Sequence, residues 1–537
     1  MRTTVSLVGV AIAMLALVAC GGGGGGGGGA PPGGGGGSST AWVPGVFPPA
    51  ANFKDLCENP RSGTNPSSGA PWPDIQGDTV DENNWLRSWS NDTYLWYDEI
   101  ADVDPASYND PVDYFLDELK TFELTLSGTE KDQFHFVYDT DEWIALSQSG
   151  VSLGYGFNWA IVSAAPPREI VVIYSDAGTP AANAGFGRGD RILSIDGVDV
   201  VNDNTQAGVN TINGALFPET VGESHEFEIE DLGTRSVTAH QLTAGQVTSV
   251  PVQHVQTVAS PGGATVGYLL FNDHIATAEQ ALIDAVETLA NVPGGIDDLV
   301  LDIRYNGGGF LVIASQLAYM IAGETATTGR VFEETEFNDK HPTINPVTGA
   351  AIMPLPFVGE TVGLSAPATN PPTLLPTLDL DRVFVLTGGS TCSASESVIN
   401  GLRGVGIEVI QIGTTTCGKP YGFYPTDNCG TTYFTIQMRG ANDAGFGDYV
   451  DGFTPSGSTS GTPVQPPGCV VPDDFEHGFG DPDEARLATA LYYRDNSACP
   501  TSPLSPKVSG LSKTEASVTA EPLIVKPEGL TNRILGY

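Results

Sequence analysis

Two apolar runs joined by an amphipathic stretch form the clearest pattern of hydrophobic and polar positions in the chain. Val383 to Leu386 are apolar, and Gly388-Gly389 follow them, which predicts a buried strand that ends at the glycines. Apolar positions then recur at helical spacing from Ala394 to Arg403, which predicts a helix. Ile407 to Ile412 predict a second buried strand, and Lys419 lies in the loop after it.

This order of strand, helix and strand brings two reactive side chains to one edge of the predicted sheet. Strands that enter a sheet through a helical crossover have their ends close together, so Ser393 and Lys419 could meet. A serine hydroxyl needs a base to take its proton, and a lysine amine can be that base once burial disfavours its ammonium form. The N–H of Ala394, at the start of the helix, offers a site for an oxyanion.

The remaining pattern divides the chain into further regions. Residues 51–146 predict a small helical domain, in which Trp85, Trp89 and Trp96 are expected to share one helix face and to pack in a core. Short strands follow in residues 147–235. Residues 236–499 predict an α/β core, with Val266 to Phe271 and Leu299 to Ile303 among its strands.

Composition and charge narrow the classes of protein. The 537 residues are enough for about three domains, and 64 acidic against 23 basic residues give a net charge of −41. Binding to nucleic acid is not expected, because lysine and arginine supply affinity for a phosphate backbone. The acidic excess is interpreted as a solvated surface, with recognition of basic partners as the alternative.

The first twenty residues predict export. A basic Arg2, an apolar run too short to span a bilayer and small residues before a cysteine are typical of a signal peptide. Leu17 to Cys20 resembles a lipobox, so Cys20 is expected to carry lipid and to be the only membrane anchor; a plain signal cleaved near Ala19 is the alternative. Gly21 is not an aspartate, which favours the outer membrane. Residues 21–50 predict a flexible tether, and residues 500–537 a disordered tail.

The six cysteines after Cys20 predict disulfides, because the count is even and the chain is expected to be exported. Among fifteen possible pairings, Cys57 with Cys499 and Cys417 with Cys429 are the two that we expect. The cysteines lack the short paired spacings of a zinc site, so neither a metal nor another cofactor is expected.

The segment Thr391 to Glu396, with the sequence Thr-Cys-Ser-Ala-Ser-Glu, and the pair Gly418-Lys419 together resemble the two motifs of the tail-specific, or C-terminal processing, serine peptidases of family S41. The resemblance implies a protease core of the ClpP/crotonase-like type, with Ser393 as nucleophile and Lys419 as general base. Arg304 to Gly309 resembles the glycine loop of the family. It implies that the N–H of Gly308, with Gly309 close behind, completes an oxyanion hole with Ala394.

Residues Gly154 to Phe157, together with the later segment Gly189 to Gly197, resemble a PDZ domain. In such domains a glycine-containing turn donates backbone N–H groups to the terminal carboxylate of a peptide that adds to a sheet edge. The resemblance implies that Tyr155, Gly156 and Phe157 are the donors. The alternative is a PDZ fold that serves only as an internal support or lid.

The chain also departs from the family's pattern. Phe423 stands where a glutamine that orients the lysine is often found, Gly404 stands where some members have an acidic residue, and Pro420 replaces the usual glycine after the lysine. No third catalytic residue is therefore predicted. None of the seven histidines lies in a triad motif, so His135, His274 and the others are interpreted as surface or satisfied core groups.

Together these features predict a serine endopeptidase that cleaves exported or envelope proteins and recognises their C-termini through the PDZ domain. The other hypothesis is a catalytically inactive, PDZ-containing lipoprotein that binds peptides without cutting them.

Overall fold

A six-stranded sheet forms the centre of the computed structural model, which describes residues 42–66, 68–125, 128–456, 464–501 and the backbone of 533–534. The strand order is β12-β13-β14-β18-β19-β24, and all neighbouring strands are parallel except β12 and β13. Apolar runs such as Val383 to Leu386 form its central strands because residues buried on both faces need not alternate with polar ones. The strands of this core are β11 (Gly245–Thr248), β12 (Val252–Ala259), β13 (Thr265–Phe271), β14 (Asp298–Asp302), β15 (Gly309–Phe310), β16 (Val331–Phe337), β17 (Leu355–Pro356), β18 (Arg382–Thr387), β19 (Glu408–Gly413), β20 (Tyr421–Gly422), β21 (Thr426–Asn428), β22 (Thr431–Phe434), β23 (Met438–Ala441), β24 (Gly468–Val470) and β25 (Arg533–Ile534), the last of which pairs with β15.

Helices cover both faces of this sheet. Leu299 and Leu301 of β14 face a cluster that includes apolar residues of three helices, whereas Val300 faces a second cluster on the opposite side with Leu487 and Leu491. This alternation along one strand is the period of two that a pleated sheet imposes. The helices are α6 (Ala278–Ala290), α7 (Leu311–Thr327) and α8 (Ala394–Gly404) on the first face and α9 (Ala485–Asn496) on the second.

The N-terminal region is helical, as predicted, but its aromatic stripe is shorter than predicted. Trp85 and Trp89 stack in a buried cluster with ring centroids 5.1 Å apart. The helix ends at Thr93 because Tyr94 is extended, so Trp96 lies beyond it and packs edge-on against Tyr421 of the core. The elements are α1 (Thr79–Thr93), α2 (Pro111–Glu118), α3 (Thr140–Ser149), β1 (Leu56–Cys57), β2 (Ile75–Gln76) and β3 (Phe136–Asp139). Strand β3 pairs with β22, which joins this region to the core.

The middle region is a twisted antiparallel sheet with two helices. The strand order is β10-β9-β7-β6-β5, so β5 is an edge strand of this sheet within the described residues. Its helices are α4 (Pro180–Ala184) and α5 (Gln206–Leu216), and its strands are β4 (Val151–Gly154), β5 (Phe157–Ser163), β6 (Glu169–Ser175), β7 (Arg191–Ile195), β8 (Val198–Asp199), β9 (Ser224–Glu230) and β10 (Val237–Thr243). Strand β4 pairs instead with β11, at the junction with the core.

The disulfides correct the expected pairing. The bonds join Cys57 to Cys429, Cys392 to Cys417, and Cys469 to Cys499. Both predicted pairs, Cys57 with Cys499 and Cys417 with Cys429, are therefore wrong. The physical reason is tertiary: β1 lies beside the turn between β21 and β22, a proximity across 372 residues that cysteine spacing does not reveal.

Several sequence predictions lie outside the described residues. They are the signal peptide, the lipidation of Cys20, most of the tether at 21–50 and most of the tail at 500–537. Within the described ranges, no helix has both the length and the apolar character that crossing a membrane requires.

Candidate active site

Ser393 lies at the sharp turn between β18 and α8, immediately before the first residue of the helix. Its side chain is fully buried, and its backbone has φ 60° and ψ −117°. A non-glycine residue rarely adopts this positive φ, and holding one there costs on the order of 1–3 kcal/mol. The turn is fixed by hydrogen bonds from the N–H of Cys392 to the carbonyl of Asn306 (3.1 Å) and from the N–H of Ser397 to the carbonyl of Ser393 (2.9 Å). The strained geometry belongs to the residue predicted as nucleophile.

Lys419 is also fully buried, in the loop that follows β19. Its Nζ lies 4.5 Å from the ring centroid of Phe134 and 4.4 Å from that of Phe423. Phe134 belongs to the N-terminal region and was not predicted as a site residue. Phe423, at the position where the family often has glutamine, contributes an aromatic face to the lysine instead of a side-chain amide.

Glu396 joins the two loops, and sequence reasoning missed this role. Its Oε2 accepts the N–H of Ser393 (3.0 Å) and the N–H of Lys419 (2.8 Å), and its Oε1 accepts the N–H of Gly418 (2.9 Å) and the hydroxyl of Thr416 (2.5 Å). Burial raises the pKa of Glu396, although these hydrogen bonds oppose the shift. The available signal was a glutamate in the first turn of a helix, three residues after the predicted nucleophile.

The hydroxyl of Ser393 is not hydrogen-bonded to Lys419 in this conformation. Ser393 Oγ is buried and has no hydrogen-bond partner among the described residues. The backbone N–H groups of Ser393 and Lys419 therefore share one acceptor, Glu396 Oε2, but their side chains are not hydrogen-bonded to each other. In enzymes without substrate, catalytic hydrogen bonds are often long and tighten only in the complex.

The glycine loop after β14 lies beside the serine turn. The side chain of Ser395 donates to the carbonyl of Asn306 (3.0 Å), so α8 and the loop are in direct contact. The N–H of Gly308, the predicted oxyanion donor, is engaged by Asn306 Oδ1 at 2.9 Å in this conformation. Gly309 has φ 132°, and a Cβ there would lie 2.5 Å from the carbonyl oxygen of His274, so only glycine fits. The N–H of Ala394 is among those that an α-helix leaves without an intrahelical acceptor.

The two buried histidines differ. His135 is a satisfied core group, as interpreted from the sequence, because both ring nitrogens have partners, the carbonyl of Phe115 and the hydroxyl of Thr435. His274 is only half satisfied. Its Nδ1 lies 2.9 Å from Asn306 Oδ1, and its Nε2 has no hydrogen-bond partner in the described residues. Burial lowers the pKa of His274 to about 4, so the ring is neutral near pH 7.

The turn predicted to bind a carboxylate connects β4 to the edge strand β5. Gly156 has φ 80°, and a Cβ there would lie 2.2 Å from Cβ of Thr179, so glycine is required. The carbonyl of Gly156 accepts the N–H of Asp176 (2.8 Å), and that of Tyr155 accepts the N–H of Ala181 (3.0 Å). The carbonyl groups of the turn are thus used internally. This leaves β5, which begins at Phe157, as the edge to which a peptide could add.

Cys392, Glu396 and Cys417 place three potential ligand atoms within 4.8 Å of one another. The two sulfurs are bonded to each other, so neither is available as the thiolate that a metal ion would need. We assign no metal to this cluster.

Three segments of the chain match models of known families. Residues 265–426, which include both Ser393 and Lys419, match peptidase family S41. Residues 171–208 match the PDZ domain, and residues 81–121 match the peptidase S41 N-terminal domain. The match to the PDZ domain begins after the Gly154 to Phe157 turn.

Two curated relatives are carboxyl-terminal-processing proteases. The protein from Picosynechococcus sp. is 25% identical over 213 residues, which are 40% of this chain and 49% of that protein. The protein from Synechocystis sp. is 32% identical over 142 residues, which are 26% of this chain and 31% of that protein. The chain therefore aligns with half or less of the length of these relatives.

A solved structure from Bacteroides fragilis NCTC 9343, described as an S41 protease, has the same fold. It superposes with a TM-score of 0.55 and 22% sequence identity, covering 80% of this chain and 100% of the other. At 22% sequence identity, this similarity is evidence for the fold only.

Proposed function

We propose that the chain is a serine endopeptidase with a dyad of Ser393 and Lys419, because its segments match the S41 N-terminal domain, the PDZ domain and peptidase family S41 in that order. One observation carries the proposal: a single carboxylate oxygen, Glu396 Oε2, accepts the N–H of the serine and the N–H of the lysine. This contact holds two loops together whose predicted side chains are a nucleophile and a base.

In the proposed reaction Ser393 Oγ attacks the carbonyl carbon of a peptide bond while its proton passes to Lys419 Nζ. The negative oxygen of the tetrahedral intermediate is held by the N–H of Ala394 and by Gly308 or Gly309. Gly308 can serve only if its N–H leaves Asn306 Oδ1, a change that substrate binding would have to induce. The lysine then protonates the leaving amine, and water hydrolyses the acyl-enzyme by the reverse sequence.

For this reaction Lys419 must be neutral before it accepts the proton. Exclusion of water by Phe134 and Phe423 disfavours an ammonium ion, whereas the faces of the two rings attract one. Lys419 has no exposed surface, and removal from water disfavours its ammonium form, which supports its assignment as the base.

We further propose that substrates are exported proteins whose C-terminal residues add to β5 and whose carboxylate is bound at Tyr155, Gly156 and Phe157. Lipidation of Cys20 and attachment to the outer membrane complete the proposal. Mass spectrometry of the mature N-terminus tests the anchor, and an unmodified residue at that end would contradict it.

Cleavage of a reduced and alkylated, unfolded test protein by purified enzyme tests the central proposal. Ser393→Ala should abolish cleavage. The matched control is Ser390→Ala, which removes an exposed hydroxyl three residues earlier and should cleave at the wild-type rate. Absence of cleavage by wild type, with retained peptide binding, would favour the non-cutting peptide-binding protein.

A further inference from the structure

The disulfide between Cys392 and Cys417 spans the proposed catalytic centre. Cys392 immediately precedes Ser393, and Cys417 lies two residues before Lys419. The Cα atoms of the two cysteines are 5.2 Å apart. The bond thus joins the turn that carries the nucleophile to the loop that carries the base.

Backbone contacts place the same bond against a third part of the site. The N–H of Cys417 donates to the carbonyl of Thr391 (3.0 Å), so a backbone hydrogen bond joins the lysine loop to the serine turn beside the disulfide. The N–H of Cys392 donates to the carbonyl of Asn306 in the glycine loop. Serine turn, lysine loop and glycine loop therefore converge at one covalent cross-link.

The lysine loop needs such a constraint more than the serine turn does. Residues 414–420, between β19 and β20, contain no helix or strand, so no regular hydrogen-bond ladder fixes the backbone at Lys419. The serine turn, by contrast, is held between a central strand and a helix. A misplacement of about 1 Å in a catalytic group can cost about 100-fold in rate.

The other two disulfides lie elsewhere in the fold. Cys57–Cys429 joins β1 of the N-terminal region to the turn after β21, and Cys469–Cys499 joins β24 to the segment after α9. Neither bond includes a residue adjacent to Ser393 or Lys419. They provide controls within the same molecule.

We propose that the Cys392–Cys417 disulfide is a positioning element for the dyad, so that the peptidase reaches its full kcat only while this bond is oxidised. The inference rests on the proposed serine peptidase function. Formation of the bond removes two electrons and two protons from two thiols and passes them to a disulfide-donating oxidant of an exported compartment. A dithiol reductant reverses the step: it is oxidised to its own disulfide, and two cysteine thiols are regenerated. Cys417 is partly exposed and offers the sulfur that a reductant can reach, whereas Cys392 is buried.

The test compares two double variants of the full chain, Cys392→Ala/Cys417→Ala and the control Cys469→Ala/Cys499→Ala. We expect the first to lose about 100-fold in kcat with KM changed little, since the bond joins the loops of the reacting groups and no part of β5, the strand proposed to bind the peptide. The control should keep kcat near the wild-type value. Circular dichroism, the melting temperature and binding of a peptide to the PDZ domain report whether each variant is folded.

A titration of wild type with dithiothreitol provides a second measurement. We expect kcat to fall in step with the appearance of free thiols at Cys392 and Cys417, mapped by alkylation and mass spectrometry, and to return on reoxidation. The Cys392→Ala/Cys417→Ala variant should not lose further kcat.

The following outcomes would contradict the positioning role of the disulfide or the proposed function. A folded Cys392→Ala/Cys417→Ala variant with kcat within about threefold of wild type would overturn the positioning role. Unfolding of that variant, and of wild type when the bond is reduced, would also overturn it, because the bond would then act on the whole fold. If oxidised wild type does not cleave and Ser393 is not labelled by an acylating probe, the proposed function fails before the disulfide is tested.

Discussion

Two proposed sites are held in place by different means: the catalytic junction of Ser393 and Lys419, and the peptide-binding turn from Gly154 to Phe157. At the junction, a buried carboxylate and a disulfide join the two loops, and the carbonyl of Asn306 accepts the N–H of Cys392 in the serine turn. The hydroxyl of Ser393 has no partner in the described structure. At the turn, backbone bonds to Gly156 and Tyr155 fix the loop, and the neighbouring β5 is a sheet edge. The chemistry requires groups positioned before the substrate arrives, whereas recognition by strand addition requires an open edge.

The largest expected effect comes from changing the base at the junction. Lys419→Arg and Lys419→Ala should both lose about 10³-fold or more in kcat, because guanidinium stays protonated and cannot accept the serine proton. In wild type, activity should rise with pH as the ammonium loses its proton. Cleavage rates measured between pH 5 and pH 10 check both expectations. A Lys419→Arg enzyme with a near-wild-type rate, or a wild-type rate that falls with rising pH, would rule out the lysine as base.

The carboxylate that links the loops should give the next largest effect. Glu396→Gln replaces one of two acceptor oxygens by an amide that faces N–H or hydroxyl donors. A buried mismatch of this kind costs about 1–3 kcal/mol, which corresponds to roughly 5- to 150-fold if it is expressed in kcat. Steady-state kinetics beside the exposed control Glu287→Gln measures it. An unchanged kcat in Glu396→Gln would show that alignment does not need both acceptor oxygens.

The peptide-binding turn should respond to the charge of the ligand and not to the dyad. Peptides with an amidated C-terminus should bind about 10-fold more weakly than the free acids, because hydrogen bonds to a charged acceptor are the stronger ones. Isothermal titration with Ser393→Ala protein, which cannot consume the peptide, gives the two affinities. Equal affinities would favour a PDZ domain that only supports the fold.

The last expected effect is on stability and not on activity, and it concerns Asp176, which connects the turn to the core. Its N–H bonds the carbonyl of Gly156, and its Oδ1 accepts the N–H of Val250 (3.2 Å) and the side chain of Gln253 (3.2 Å). Burial raises the pKa of Asp176 from 3.8 to about 6. Because the folded pKa is the higher one, its stabilising contribution is full below pH 3.8 and is lost as the pH rises through 6.

Asp176→Asn should therefore stabilise the protein by about 1–3 kcal/mol at pH 8 and by much less at pH 4, since the amide keeps an acceptor oxygen without a buried charge. Thermal unfolding at the two pH values gives the difference. A lower melting temperature for the variant at pH 8 would mean that the ionised carboxylate is favourable where it lies.

The contrast between the two regions also separates what the sequence could predict from what it could not. The strand, helix and strand around Ser393 were predicted within about one residue of the observed bounds, because both strands are continuous apolar runs and the helix has clear periodicity. These signals lie within short segments of the sequence, and the elements they predict form within the same segments.

Contacts between distant segments were not predictable in the same way. Phe134 reaches Lys419 across 285 residues, and Cys57 reaches Cys429 across 372, because β3 pairs with β22. The bond from Gly308 N–H to Asn306 Oδ1 depends on a side-chain rotamer that no motif specifies. The sequence identifies Glu396 as part of the serine motif. Its four hydrogen bonds could not be predicted, because they form only where the serine turn and the lysine loop come together in the fold.

Labelling by a serine-directed acylating probe tests the central claim most directly. Mass spectrometry of peptides from treated wild type should find one adduct, on Ser393. The adduct should be absent in Ser393→Ala, form far more slowly in Lys419→Arg, and form at the wild-type rate in Ser390→Ala. A wild-type protein that cleaves its substrate while Ser393 stays unmodified, or an adduct that forms equally fast without Lys419, would contradict the Ser393 and Lys419 dyad.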